Sequence, residues 1–458
     1  MFKIADTAEI HIDSLAYGGE GVGKIDGLTV FVPDSVTGDD LKIEMVSVKK
    51  SFAKAKIIEI IKPSKHRVKP PCALFNVCGG CQWQHVSYDE QLVAKKKIVE
   101  DNIKKIAHLD VKVNDVIGGD CNSEFRCKVQ YPVQQTKVSK RFLAGYYQKA
   151  SHDLVNIKYC PIQPDIINKI TQFIRETAQE LGINAYNEKK KMGVLRHLVY
   201  RYSQTHKKLI LIVVISAHQT IPEVVELCRA VMLEFSEVAG VLINFNTSHT
   251  NLILGKKTEL IRGKDFVEEV LEGRKFKISA NSFFQVNPSA AVKMFDTVYK
   301  MVENIGGKPS ILDVYSGVGN FSIWVKALAS TITSIEENPS AIKDALENIE
   351  LNRDIQGADI ETIEGNAEDT LQKLIESNRK FDVTIIDPPR KGCSESTLNA
   401  VAELTNKCII YVSCNPSTLA RDLKLLSEKG FIPEYIQPVD MFCHTYHVES
   451  IAVLKRSK

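Results

Sequence analysis

The sequence predicts a multidomain chain, with an all-β barrel first, an α+β region in the middle and an α/β domain last. Three observations carry this. Residues 1–62 hold four short runs of alternating apolar and polar residues separated by turn residues, the pattern of a small barrel. From about Gly273, apolar strands alternate with helical stretches, the pattern of a parallel sheet. The 458 residues leave room for a third domain, residues 63–272, and a composition 44% hydrophobic and 25% charged supplies an ordinary core.

The alternating runs of the first domain are Glu9–Asp13, Leu28–Val32, Leu41–Val46 and Ala53–Ile60. Glycines from Gly18 to Gly23 have the look of a phosphate-cradling loop, but no helix follows, so they read as a hairpin crossing. The segment resembles the TRAM domain, an OB-like barrel found on RNA-modifying enzymes. Lys49, Lys50, Lys54, Lys56, Lys62, Lys65, Arg67 and Lys69 stand against one acid, Glu59, although the whole chain carries a net charge of only +3. A second basic cluster joins Lys189, Lys190 and Lys191 to Arg196 and Arg201. Two such clusters favour a phosphate-backbone partner. Met1 to Ile10 has no basic stretch followed by an apolar run, and the longest apolar run, Leu209–Ile215, is too short to span a bilayer. A soluble, cytoplasmic monomer is expected, with no membrane partner.

The middle domain opens on cysteines: Cys72, Cys78 and Cys81 in the spacing C-x5-C-x2-C, with Gly79 and Gly80 between the last two. Three thiols do not close a tetrahedral site, so a fourth ligand must come from elsewhere. The candidates are Cys121, Cys127 and Cys160. Cys160 precedes Pro161, as the last ligand of some iron–sulfur runs does, whereas Cys121 and Cys127 flank a strand entry and read as packing. Zinc is the rival; all-sulfur ligation at this spacing favours a [4Fe–4S] cluster. Residues 88–109 have helical spacing with a lysine-rich face, including Lys95, Lys96 and Lys97, and this helix is expected to pack on the last domain. Strands are expected at Arg126–Val133, Leu143–Gln148, Val194–Tyr202 and Leu209–Ser216, and helices at Pro164–Leu181 and Pro222–Glu234. Phe142, Tyr146 and Tyr147 beside basic residues offer stacking surfaces for bases, although strand aromatics are usually core.

The last domain, residues 273–458, reads as Rossmann-like. Strand Ser310–Tyr315 runs into Ser316-Gly317-Val318-Gly319-Asn320, which opens a helix. The next strand ends in Glu336, an acid suited to two ribose hydroxyls. The third glycine of a dinucleotide loop is missing, with Ser322 in its place. Asp313-x-Tyr315-x-Gly317-x-Gly319 is instead the loop of S-adenosylmethionine (SAM) methyltransferases. Later strands end at Asn366, at Asp387-Pro388-Pro389-Arg390 and at Ser413-Cys414-Asn415-Pro416. An aromatic after Asp-Pro-Pro would suggest amino-group methylation. Arg390, with a cysteine at the next strand end, points to carbon methylation of a pyrimidine.

Together with Phe283-Phe284-Gln285-Val286-Asn287 and His444-Thr445-Tyr446-His447-Val448-Glu449, these motifs resemble the RNA (uracil-5-)methyltransferase family over the full chain, and within it the 23S ribosomal RNA branch. Tyr315 and Ser316 depart from the Phe and Cys of that branch. The resemblance implies Cys414 as nucleophile and Glu449 as base. It implies SAM contacts at Gln285, Tyr315, Asn320, Glu336, Asn366 and Asp387, and cluster ligands at Cys72, Cys78, Cys81 and Cys160. Phe283 and Phe284 are expected to stack on an extruded base, and His444 and His447 are read as structural. The alternatives are a tRNA substrate, and an RNA-binding iron–sulfur protein without turnover.

Overall fold

A computed structural model describes residues 2–119, 124–149 and 151–457. It divides into two compact units: Met1–Phe75 with Gly80–Gly119 and Asp387–Lys458, and Asn76–Gly79 with Asp120–Ile386.

The first unit begins with the barrel. Strands Thr7–His11, Ser14–Leu15, Gly21–Ile25, Leu28–Val32, Asp40–Val48 and Phe52–Lys62 form one six-stranded sheet. Their alternate side chains, Ile10, Val30, Val32, Leu41, Ile43 and Ala53, make a closed apolar centre. The expected hairpin crossing is there: Ser14–Leu15 pairs antiparallel with Gly21–Ile25. The sheet closes on itself where Asp13 N–H donates to Val22 O at 2.8 Å. A Cβ on Gly23 would lie 2.1 Å from His11 O, so only glycine permits that approach. Buried Asp39 ties the barrel's end by accepting from Val36 N, Ser64 N and Arg67. Arg67, counted above among the RNA-facing cations, is thereby used inside the fold. Lys49, Lys50, Lys62, Lys65 and Lys69 remain exposed.

The same unit contains strands Thr405–Ser413, Glu449–Arg456, Phe431–Val439 and Lys112–Val113. The first two pairings are antiparallel and the last is parallel. Helix Pro416–Glu428 follows the first of these strands. Helix Tyr88–Asn102 is shorter than its sequence pattern implies. A π-helical turn, Ile103–Ala107, replaces the last part, and left-handed His108 ends it.

This helix meets the C-terminal segment through a buried ion pair. Lys95 and Asp440 are both fully buried, with Nζ 2.5 Å from Oδ1. Lys95 also donates to Phe442 O at 3.0 Å, and Tyr88 Oη donates to Asp440 Oδ2 at 2.9 Å. Burial pulls the Lys95 pKa below its ordinary value and the Asp440 carboxylate pulls it back. Lys95 is therefore buried and no part of a solvent-facing lysine-rich face.

In the second unit, six strands form a mixed sheet in the order Lys257–Gly263, Val238–Phe245, Lys208–Ile215, Leu195–Ser203, Lys128–Gln135, Phe142–Ala144. The expected pairing of the two central strands is observed and is antiparallel. Arg196 and Arg201 lie on the inner strand Leu195–Ser203, flanked on both sides, and are only 5% and 3% exposed. Arg196 donates to Asn246 O and Ser248 O, and Arg201 to Ala280 O and Ser282 O. They are structural clamps, which corrects their assignment to a surface basic cluster. Phe142 likewise sits in the core. The unit also holds a parallel sheet, Ile360–Glu364, Thr331–Glu336, Ser310–Val314, Phe381–Ile386, with helices between the strands. Among the described residues, no helix is long and apolar enough to cross a membrane.

Replacing Lys95 by Met leaves a buried carboxylate without its cation. The expected cost is about 3–5 kcal/mol in urea unfolding. Adding Asp440→Asn to Lys95→Met should recover part of that loss, because no charge is then stranded. A Lys95→Met protein as stable as wild type would remove this pair from the fold's support.

Candidate active site

The turn at Cys414 is built by its neighbours. Asn415 N–H donates to Ser413 Oγ at 3.2 Å, and Ser413 Oγ donates to Asn415 O at 3.2 Å. Asn415 Oδ1 caps the following helix by accepting from Ser417 N, and Pro416 takes the first helical position, where its missing N–H costs nothing. Asn415 Nδ2 reaches Arg390 O at 3.2 Å, which joins the turn to the Asp387–Arg390 loop. The thiol is half-buried.

Glu449 comes from the neighbouring strand. Ser413 pairs with Ser450 in the antiparallel ladder, so the next step of that register sets Cys414 opposite Glu449. A strand end and a strand start meet only because the pairing is antiparallel. The intervening loop is held from outside. His444 O accepts from Gln82 N and Trp83 N at 2.9 and 2.8 Å, and His444 N donates to Gln91 Oε1 at 2.9 Å. His444 sits at φ 63°, a strained backbone for a residue other than glycine.

Charge is crowded here. Burial pushes the Glu449 carboxyl up to about 8; Asp387 adds to the rise and Arg390 opposes it. Burial likewise pushes the Cys414 thiol up to about 12, with Glu449 and Asp387 adding and Arg390 opposing. Both shifts favour the protonated forms. The helix that begins after Cys414 would favour a thiolate, but desolvation and two carboxylates outweigh it.

In the second unit, the glycine loop after strand Ser310–Val314 takes left-handed backbone at Tyr315 (φ 67°), Gly317 (φ 57°) and Gly319 (φ 85°). Such geometry at a tyrosine is rare and concentrates at ligand sites. Glu336 accepts from Gly317 N at 2.8 Å and from Glu337 N and Asn338 N, which fixes its carboxylate beside the loop. Among the described residues, Asp313 Oδ1, Ser316 Oγ and Asn320 Oδ1 are buried and make no hydrogen bond. Orphaned buried polar atoms are uncommon. Three around one loop fit a ligand with its own polar groups, as SAM has. Burial raises the Asp313 carboxyl to about 6, against the hydrogen bonds from Ser322. Asn366 is exposed and caps helix Ala367–Glu376.

A family model described as tRNA (uracil-5-)-methyltransferase matches residues 87–457, and a TRAM domain model matches residues 3–58. The chain belongs to the RNA (uracil-5-)methyltransferase family. It is 38% identical over 452 residues to an RNA methyltransferase of Clostridium acetobutylicum, covering 98% of this chain and 96% of that protein. An RNA methyltransferase of Caldanaerobacter subterraneus is also 38% identical, with 99% of each covered. Among solved structures, the Pyrococcus abyssi tRNA (uracil-54, C5)-methyltransferase in complex with S-adenosyl-L-homocysteine superposes with a TM-score of 0.75 at 28% identity. That match covers 97% of this chain and 99% of the other.

In this uracil-5 methyltransferase the segment before Gln285 is clamped from two sides. Buried Asp344 accepts from Ser279 N, Ser279 Oγ and Ser282 Oγ, while Arg201 binds the carbonyls of Ala280 and Ser282. Gln285 is 7% exposed. The two phenylalanines ahead of it divide: Phe283 is 55% exposed with Lys128 Nζ 5.9 Å from its ring centroid, while Phe284 is 4% exposed and packs on Phe276. Only Phe283 is available for stacking, a correction to the expectation for both. Sequence reasoning also missed Asp344, because nothing in its local pattern marks it.

Cys72 and Cys81 belong to the first unit, Cys78 and Cys160 to the second, and none of the four is in a disulfide. Among the described residues, no group of three or more His, Cys, Asp or Glu is arranged to hold a metal ion. The expected cluster therefore rests on its donor chemistry: four reduced cysteines, one of them on a turn where a Cβ at Gly79 would come 2.9 Å from Tyr147 O. Cys127 is buried, with its thiol 3.7 Å from Phe125 O, and burial pushes its pKa up. Cys121 lies outside the described residues.

Arg390 lowers both protonation equilibria at this site, so Arg390→Gln should raise both. The rising limb of kcat/KM for RNA against pH should then move to higher pH. For every pH unit the limb moves, activity at a fixed pH on it falls about tenfold. An unmoved limb would separate this arginine from the ionisations.

Proposed function

We propose that the chain is a SAM-dependent enzyme that forms 5-methyluridine at a specific uridine of 23S ribosomal RNA. One observation carries the chemistry: Cys414 and Glu449 stand opposite each other across antiparallel strands, beside Asp387 and Arg390. C5 of uracil is a weak nucleophile. Cys414 gives its proton to solvent water and adds through sulfur to C6, and the ring becomes an enolate with carbanion character at C5. Bound SAM would supply an electrophilic methyl group to C5, with S-adenosylhomocysteine as the leaving group. Glu449 then removes the C5 proton, the C5–C6 double bond re-forms, and the thiolate leaves. Its raised pKa suits a group that, as the carboxylate, must accept a proton near neutrality. Gln285, Tyr315, Asn320, Glu336, Asn366 and Asp387 would hold the methyl donor. The base must be turned out of its stack to reach the thiol, and exposed Phe283 offers it a stacking partner.

The TRAM barrel and the C-x5-C-x2-C motif support the ribosomal substrate. A second reading, tRNA, is supported by the full-length likeness to the Pyrococcus abyssi enzyme. Incubation with labelled methyl donor and separately purified ribosomal and transfer RNA distinguishes the two. Label confined to transfer RNA overturns the first reading, and no label in either overturns both.

Cys72, Cys78, Cys81 and Cys160 would hold a [4Fe–4S] cluster in a bracing role, because methyl transfer moves no net electrons. Anaerobically purified protein should contain about four iron and four sulfide per chain. Stoichiometric zinc without sulfide would assign the thiols to zinc.

Glu449→Gln keeps the shape and removes the basicity. RNA should then be methylated once and remain bonded to Cys414, giving a label-bearing protein–RNA band on denaturing gels. The band should be absent in Cys414→Ala. Normal release of methylated RNA from Glu449→Gln would give the base role to another group.

A further inference from the structure

Tyr17 belongs to the barrel by sequence, yet its ring lies with the catalytic segment. It sits on the turn between strands Ser14–Leu15 and Gly21–Ile25. That turn is hydrogen-bonded within itself: Ala16 N–H donates to Glu20 O at 2.8 Å, and Gly19 N–H to Ala16 O at 3.0 Å. It is also docked. Trp83 Nε1 donates to Gly19 O at 3.0 Å, and a Cβ on Gly19 would fall 2.9 Å from the side chain of Gln82. Gly19 has φ 99°, so a larger residue is excluded by backbone as well as by space.

From this turn the Tyr17 ring meets Tyr446 edge-on, with centroids 5.1 Å apart at 79°, and approaches His447 at 6.3 Å and 81°. Tyr446 and His447 themselves lie 4.3 Å apart. All three rings are half-buried. Tyr446 and His447 immediately precede Val448 and Glu449. Among the described residues the Tyr17 hydroxyl makes no hydrogen bond to protein, and on a half-buried side chain water or a ligand can serve it. Burial raises its pKa, Tyr446, Cys414 and Glu449 add to the rise, and Arg390 opposes it, so the hydroxyl lies within electrostatic reach of the reacting groups. Tyr17 and Tyr446 also pack on the apolar cluster of Leu15, Val36, Trp83 and Val86, which fixes the two rings.

We propose that Tyr17 is part of the substrate pocket, where its hydroxyl hydrogen-bonds the extruded uridine and its ring, with Tyr446, walls the base in. This rests on the uracil reading above. The barrel would then do more than bind phosphates; it would contribute a group that orients the base for attack by Cys414. The ligand chemistry is that of a pyrimidine edge, whose two carbonyls accept and whose N3–H donates.

Tyr17→Phe separates pocket from packing, because it keeps the ring and removes only the hydroxyl. The probe is an RNA carrying 5-fluorouridine at the target, which traps the Cys414 adduct. Tyr17→Phe should keep the thermal midpoint and the salt dependence of RNA binding. It should slow adduct formation and lower kcat/KM about three- to tenfold, the effect of one lost hydrogen bond. Tyr17→Ala should lose more, with Phe restoring part of the difference. Wild-type adduct rates in Tyr17→Phe overturn this proposal alone. Equal losses of thermal midpoint and activity in both variants also overturn it, in favour of packing. A wild-type enzyme that forms no adduct overturns the uracil reading, and this proposal with it.

Discussion

The antiparallel pairing of Thr405–Ser413 with Glu449–Arg456 is the constraint on which the proposed chemistry depends. Side chains at a strand end and at a strand start, far apart in sequence, become neighbours only in that arrangement. The ladder sets the register, and the Ser413–Asn415 hydrogen bonds set the turn beyond it. What lies between the two strands is held by Lys95. Its ion pair with Asp440 and its bond to Phe442 O anchor the entrance to the loop. Gln91, one turn earlier on the same helix, holds His444. A helix that precedes the catalytic segment by more than three hundred residues thus acts as its scaffold.

Three acids, Cys414, Glu449 and Asp387, face one cation, Arg390. In water this would be an ordinary cluster. Out of water, each additional negative charge is costly, and the site keeps its protons. The surroundings thus favour a neutral thiol beside a neutral acid. Their ionisation is coupled to whatever charge the exposed Arg390 meets. In the second unit the same economy is reversed. Asp344 and Arg201 are satisfied by backbone groups, and they hold the Ser279–Ser282 segment ahead of Gln285.

Local chemistry was legible where one stretch of residues determines its own geometry. The alternation in the barrel strands, the glycines of the hairpin crossing, the Gly317/Gly319 loop and the Ser-Cys-Asn-Pro turn all follow from nearest-neighbour sterics and hydrogen bonding, and the structure realises each. The ends of elements were less legible. Nothing in 88–109 announces the π-helical turn at Ile103, because its causes lie in packing against other segments.

What the sequence by itself determined was the strands of the barrel, the alternation of strand and helix around the glycine loop, the family, and the residue types at the strand ends that it marked. What the tertiary structure decided was which charges and rings remain available to act. Lys95, Arg67, Arg196 and Arg201 read as surface cations in sequence, yet each is held by a partner inside the fold. Phe283 and Phe284 are adjacent and chemically identical, but one is exposed and the other is core. Tyr17 carried no motif at all. The physical reason is the same in each case. Propensity and pattern act over a few residues, whereas burial and electrostatic pairing depend on groups brought together from distant parts of the chain.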